Sequence, residues 1–388
     1  MSGTLAGDAR ARIERRMVAL GRLLEEAEHH ERWARAVDLS RDGASWLLAR
    51  PIEPLATAVS LPPSPSAYEI VATDGSQIDV ERHGMADFYV INIGSVYLRY
   101  GNPSSARLTS RPMLYFREED LYLTDGVRRI PIEGNYLSAR RDVDEGVALA
   151  DLAEAALGGE LPAIAIQDGT LVRWTLAGAE RFVQDFFLRQ YLGYLDRMRA
   201  LGVPTASYIS RPRAPEVAGT IRLMLCPDVN VEAERGAVCS ACSDAAAGRT
   251  PSCMVCQGLT DAEVLAGMLA DGQRGPLFAS MSRINVEAYG PHLIHFFYLR
   301  VGGEVARVEV PQWVAQERAK LDLVHTLIYD QCMRGQGYPV ALARAHEQAV
   351  VRAADRRTLL GMVESSLVRA ELPASDSAKR SSKERRAV

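Results

Sequence analysis

The chain has 388 residues, of which 47% are hydrophobic and 24% charged, with a formal net charge of -4 at pH 7. That composition excludes a disordered or fibrous chain and predicts one large domain or two around a sizeable core. The slight acidity excludes a global pull on nucleic acid, so any polyanion site must rest on local Arg and Lys clusters.

In chain order, residues from about 8 to 36 read as an amphipathic helix, with Ile13, Met17, Leu20 and Leu24 at four, three and four residue steps. The Pro-rich stretch PIEPLATAVSLPPSPS, 51–66, breaks regular structure and reads as a linker, so 1–66 forms an N-terminal region ahead of a main domain over 67–368. YEIVAT, FYVINIG and VYLRYG, rich in β-branched and aromatic residues, predict a β-meander from Tyr68 to Gly101. DEGVALADLAEAAL, 144–157, predicts a helix leading through Gly158-Gly159 into a strand at AIAIQDGTLV, 163–172. A long helix over 180–202, a strand at 206–210, and a hairpin of 292–301 with 304–310 around Gly302-Gly303 follow. Helices are expected over 314–334 and 340–364, then a basic tail, 369–388, disordered from Pro373. Strands and helices in this order make an α/β class.

Twice an apolar strand runs into Asp-Gly and a hydroxyl residue, at Asp74-Gly75-Ser76 and at Asp168-Gly169-Thr170. Asp-Gly alone is a turn signal. Two such carboxylates on neighbouring strands, however, repel each other unless a divalent cation lies between them, and such a cluster wants Mn²⁺ or Mg²⁺. That ion would activate water and neutralise charge on a phosphodiester. A third acid is expected on the preceding helical segment, where Asp142, Asp144, Glu145, Asp151 and Glu154 are all available. Helical spacing groups Asp144, Asp151 and Glu154 and sets Glu145 on a partly different face. His346, in a C-terminal helix, is a candidate metal ligand or proton donor.

No apolar run approaches the roughly 20 residues of a membrane span, and MSGTLAGDARARIERRM carries no hydrophobic signal region, so a cytoplasmic protein is expected. In that reducing compartment the six cysteines point to metal or free thiols rather than disulfides. Cys239-Ser-Ala-Cys242 and Cys253-Met-Val-Cys256, ten residues apart within a Cys-rich insertion at 226–258, predict a four-thiolate Zn²⁺ site. Cys226 adds a fifth thiol and keeps an iron–sulfur cluster open as the alternative. Arg173 with Trp174 pairs a phosphate-binding group with a stacking ring, and Arg211 with Arg213 in SRPR sits just past a strand, so both are candidates for nucleic-acid backbone contacts.

VATDGSQID, HGMADFYVINIGSVYLRYG, AIQDGTLVRW, FFYLRVGGEVARVEVPQW and GYPVALARAHEQAVVRAADRR together resemble the NurA family of prokaryotic DNA-end-processing nucleases, from about residue 68 to about 360. The resemblance implies an RNase H-like core with a mixed sheet flanked by helices. It implies Mn²⁺-dependent cleavage of single-stranded and double-stranded DNA ends, as a 5'-3' exonuclease and single-strand endonuclease in double-strand break end resection. It also implies a homodimer docked on a HerA-type hexameric ATPase. Carried over residue by residue, it assigns Asp74, Glu145, Asp168 and His346 to the metal site, with Asp151 the other acid near the Glu145 position. Thr170 stands where Ser is commoner. Two other readings compete: a catalytically silent scaffold that binds DNA or the ATPase, and a metal-dependent RNase on the same core.

Overall fold

The computed structural model describes residues 2–79 and 87–369. The remainder of the expected basic tail, 370–388, lies outside the described residues. The strands are β1 (Ala49–Pro51), β2 (Tyr68–Ile78), β3 (Tyr89–Tyr100), β4 (Ser105–Tyr115), β5 (Tyr122–Asp125), β6 (Arg128–Pro131), β7 (Ala163–Asp168), β8 (Thr205–Ile209), β9 (Phe278–Ser280), β10 (Ile294–Val301) and β11 (Glu304–Pro311). Two compact units result: Met1–Pro65 with Asp168–Val172 and Pro204–Val340, and Ser66–Gln167 with Arg173–Val203 and Ala341–Val388. No helix among the described residues is long and apolar enough to cross a membrane.

In the first unit β1, β9, β10, β11 and β8 pair antiparallel in that order. The expected hairpin is present, with Val301 opposite Glu304 across the Gly302-Gly303 turn. Its inward side chains Phe296 and Tyr298 join Phe278, Trp33, Val217, Ile221 and Leu265 in one apolar cluster. The N-terminal helix ends at Glu25 and a second runs from His30 to Ser40, so the single helix expected over 8–36 is two. Its buried face also differs: Ala19 and Leu23 are in the core, whereas Ile13, Met17 and Leu24 are exposed. Of the stripe read from large side chains only Leu20 packs against the core, beside Ala19 and Leu23.

Charge is buried here too. Arg307, on β11, donates from Nη1 to Glu216 and from Nε to Glu309 at 2.8 Å, and its guanidinium lies 3.6 Å from the Phe296 ring centroid. All three charged side chains are at most 2% exposed. His325 is also fully buried, and its ring Nε2 meets the Gly272 carbonyl at 2.8 Å, so Nε2 carries the proton. Burial pulls its pKa from 6.5 down to about 4. The unfolded chain therefore binds this proton before the folded one does. The stabilising contribution is complete above about pH 6.5 and is lost as pH falls through about 4. Melting scans are expected to show a lower transition at pH 5 than at pH 7.5, and His325→Gln to reduce that difference; an unchanged pH dependence in the variant would refute the assignment.

The second unit holds β7, β2, β3 and β4 side by side, with β2 and β7 parallel and the other pairs antiparallel. This is a mixed sheet, and with its helices the class is α/β. Residues Ile70, Val71, Ala72, Ile164, Ala165 and Ile166 are wholly buried, as a near-continuous apolar run on paired parallel strands requires. The helices Asn135–Ala156 and Arg181–Leu201 bury Leu149, Ala150, Phe187 and Leu195. The first starts nine residues before the expected Asp144, which brings Arg140, Arg141 and Asp142 onto helix. A third helix, Val340–Ala349, lies against β3, where a Cβ on Gly94 would stand 2.1 Å from the Ala345 carbonyl oxygen. Its end is fastened by Asn92 Nδ2, which donates to the carbonyls of Gln348 and Ala349 at 3.1 and 2.8 Å, and by the Ser76 hydroxyl, which also donates to Ala349. The expected helix over 340–364 breaks after Ala349 and resumes as Ala353–Arg369.

Candidate active site

Three of the four expected site residues meet in the second unit. His346, in the last turn of the Val340–Ala349 helix, places Nδ1 2.8 Å from Oδ2 of Asp74 on β2. A carboxylate only accepts, so Nδ1 carries the proton of this hydrogen bond. Asp74 is largely covered while His346 is 71% exposed, so the dyad has a protected acid and an accessible base.

Asp74-Gly75 is not a turn: β2 continues in register with β3 to Ile78. Gly75 serves clearance instead, because a Cβ there would lie 2.5 Å from Oε1 of Glu145 and 2.9 Å from Cγ of Arg141. The Asn135–Ala156 helix is held at this depth by Thr73, whose buried hydroxyl donates to the Glu145 carbonyl at 3.0 Å. Glu145 is thus set beside Asp74. Its carboxyl is pushed well above the usual range, first by burial, then by the negative charges of Asp142 and Asp74, against the lowering effect of Arg141 and Arg173.

Two arginines bind this acidic group together. Arg141 donates from Nε to Glu145 at 3.1 Å and lies 3.3 Å from Asp142 through Nη2. Arg173 reaches Asp142 Oδ2 at 2.6 Å and stacks over the Tyr191 ring at 4.6 Å. Arg173 was expected to meet DNA; its side chain is only 11% exposed and braces the acidic cluster instead. Trp174 beside it opens a short 3₁₀ turn and is half-buried. Sequence reasoning weighed Asp142 only as one acid among five and Arg141 only as a weaker DNA contact, not as a partner of Glu145; the i,i+4 spacing of Arg141 and Glu145 was the available signal.

The other acids are engaged elsewhere. Asp144 accepts from the Tyr115 hydroxyl at 2.7 Å and pairs with Arg140 at 3.2 Å. Asp151 and Glu154 both grip Arg197, each at 2.7 Å, on an exposed face.

Asp168 ends β7 and belongs to the first unit. The parallel register of β2 with β7 ends at the pair Thr73 and Gln167. Gly169, with φ of +77°, turns the chain there as expected. The turn is fixed from within the first unit: Glu309 Oε2 accepts the Leu171 backbone N–H at 2.7 Å and the Thr170 hydroxyl at 2.9 Å. Gly169 N–H donates to the Tyr208 carbonyl at 3.1 Å. In the same unit Arg211, at φ of +48°, is exposed and pairs with Glu304 at 2.8 Å, and Arg213 is exposed.

Among the described residues, no group of three or more His, Cys, Asp or Glu side chains is arranged as a metal site. The donor chemistry of Asp74 and Glu145 nevertheless suits a hard cation, since two carboxylates stand together and burial and the neighbouring acids disfavour the charged form of one of them.

The NurA domain matches residues 68–351, most of the chain. No curated protein matches it. The match takes in Asp74, Glu145, Asp168 and His346 and every strand from β2 to β11, and on that extent the chain belongs to the NurA family, a family of nucleases.

Proposed function

We propose that this protein is a metal-dependent deoxyribonuclease that trims DNA ends, with Asp74, Glu145, Asp168 and His346 as its reacting set on an RNase H-like core. The observation that supports it best is the meeting of Asp74, Glu145 and His346, drawn from three distant segments, inside the matched NurA region. Asp168 joins them on the strength of the family resemblance, as the aspartate of the second Asp-Gly motif.

Asp74, Glu145 and Asp168 would hold Mn²⁺ or Mg²⁺. When bound, such an ion neutralises charge on the phosphodiester and makes water acidic enough to attack at neutral pH. Asp74 fixes the His346 tautomer, leaving Nε2 to take a proton from water or, once protonated, to give one to the leaving oxygen. Arg141 and Arg173 keep Glu145 and Asp142 from springing apart while the site is unloaded. Exposed Arg211 and Arg213 suit backbone phosphates, and half-buried Trp174 offers a face for a base.

The resemblance carries the rest of the reading: 5'-3' exonuclease and single-strand endonuclease activity in break resection, a homodimer, and a HerA-type hexameric ATPase that feeds duplex DNA, in the cytoplasm. The test is release of nucleotides from end-labelled single-stranded and blunt double-stranded DNA with Mn²⁺, Mg²⁺ or EDTA, with an RNA strand of the same sequence alongside. Metal-dependent shortening of DNA ends is expected. Cleavage of RNA alone, or none of any substrate, would sink the proposal.

A further inference from the structure

We propose that Cys226, Cys239, Cys242 and Cys253 form a four-thiolate site for a borderline-soft divalent cation of the zinc class, and that Cys256 stands outside it. All five belong to the first unit. The sequence pattern groups the two CxxC pairs, but the fold regroups the sulfurs.

Cys226, Cys239, Cys242 and Cys253 line one cavity of about 160 Å³, closed by Trp46, Arg222 and Met254. Cys256, 2% exposed, is instead a member of the apolar cluster of Leu259, Val264, Leu265 and Leu269. Cys226 packs with a different cluster, that of Leu223 and Ala237. The segregation follows from local structure. Cys253 and Cys256 lie on one short 3₁₀ turn, Ser252–Cys256, whose eclipsed i,i+3 side chains would suit a shared ion. Its last residue, Cys256, is drawn into the apolar core and away from the lining of that cavity. Cys226 sits two residues past the helix Glu216–Met224, seven of whose nine residues are buried, so it is a fixed post. Cys239 and Cys242 flank a second 3₁₀ turn on a segment poor in apolar residues.

Among the described residues no three such side chains are already arranged as a metal site, and Cys253 is buried while Cys226, Cys239 and Cys242 are partly exposed. Binding would therefore draw the Cys239–Cys242 turn and Cys253 towards Cys226, coupling metal to the order of the insertion. Four thiolates around a divalent cation leave two negative charges. Arg222, on the cavity wall and 3.7 Å from the Trp46 ring centroid, is placed to offset part of them.

The full-length chain purified without chelators or an affinity metal should contain about one zinc per molecule by mass spectrometry of the elements. Cys226→Ser and Cys239→Ser should lower that several-fold, and Cys256→Ala should leave it unchanged. Cobalt added to stripped protein should give thiolate charge-transfer bands and tetrahedral visible bands in wild type and Cys256→Ala but not in Cys226→Ser. Cys256→Val is the substitute should the alanine variant fail to fold. The proposal is overturned by wild-type protein that takes up neither zinc nor cobalt, by iron with labile sulfide, or by loss of zinc from both folded Cys256 variants while Cys226→Ser retains it.

Discussion

Asp74→Asn should lower metal-dependent DNA cleavage by at least about 100-fold while leaving the fold and DNA binding in place. The amide keeps the size of the carboxylate and still accepts from His346 Nδ1, now 2.8 Å from Oδ2, so β2 and the Val340–Ala349 helix retain their contact. What is lost is charge. Asn can neither supply an anionic oxygen to a cation nor stabilise a protonated His346 ring. Glu145 also loses a negative neighbour, which relaxes part of the pressure that holds its carboxyl above the usual range. Melting should therefore be level with or slightly above wild type, the pattern of a site that spends stability on function. Filter binding would measure DNA affinity and end-labelled oligonucleotides the rate. Activity within about threefold of wild type would remove Asp74 from the reacting set.

Arg307→Met should destabilise the first unit by about 3–5 kcal/mol, the range found when one member of a buried ion network is deleted. Glu216 and Glu309 are each about 1% exposed, so neither can reach water to replace the lost guanidinium. Methionine fills much of the volume above Phe296, which makes charge rather than a cavity the cause. The damage should also spread to Leu171 and Thr170, because Glu309 loses the guanidinium contact that holds it against that turn. Urea denaturation at pH 7 tests the magnitude. Replacing Arg307, Glu216 and Glu309 together with apolar residues should recover much of the loss, and a single variant within about 1 kcal/mol of wild type would contradict the network's importance.

Elements whose local pattern matched their final environment were legible. The β10–β11 hairpin announces itself through alternating β-branched and aromatic residues around Gly302-Gly303, and Arg181–Leu201 through helical periodicity. Strands β1 and β9, three residues each, carry too few residues for any period and exist because they pair with one another and with β10. The site was legible as a set of residue types but not as an arrangement. Asp-Gly at 74–75 and at 168–169 looks the same in sequence. Only packing distinguishes a glycine that makes room for Glu145 from one that turns the chain at positive φ. Arg173 shows the same gap: an arginine beside a tryptophan suggests a ligand contact, but the partner is Asp142, thirty-one positions earlier. The two CxxC pairs look alike in sequence, and only packing shows that Cys256 sits in an apolar cluster.

The hydrogen bond between Asp74 and His346 joins residues 272 positions apart. The ribosome must therefore release nearly the whole NurA region before acid and base can meet. A nascent or truncated chain ending before the Val340–Ala349 helix carries the acidic cluster without its imidazole, and leaves Asn92 and Ser76 with no helix end to fasten. A member of a nuclease family thereby closes the contact between its carboxylate and its imidazole last, and synthesis itself sets when that contact can form.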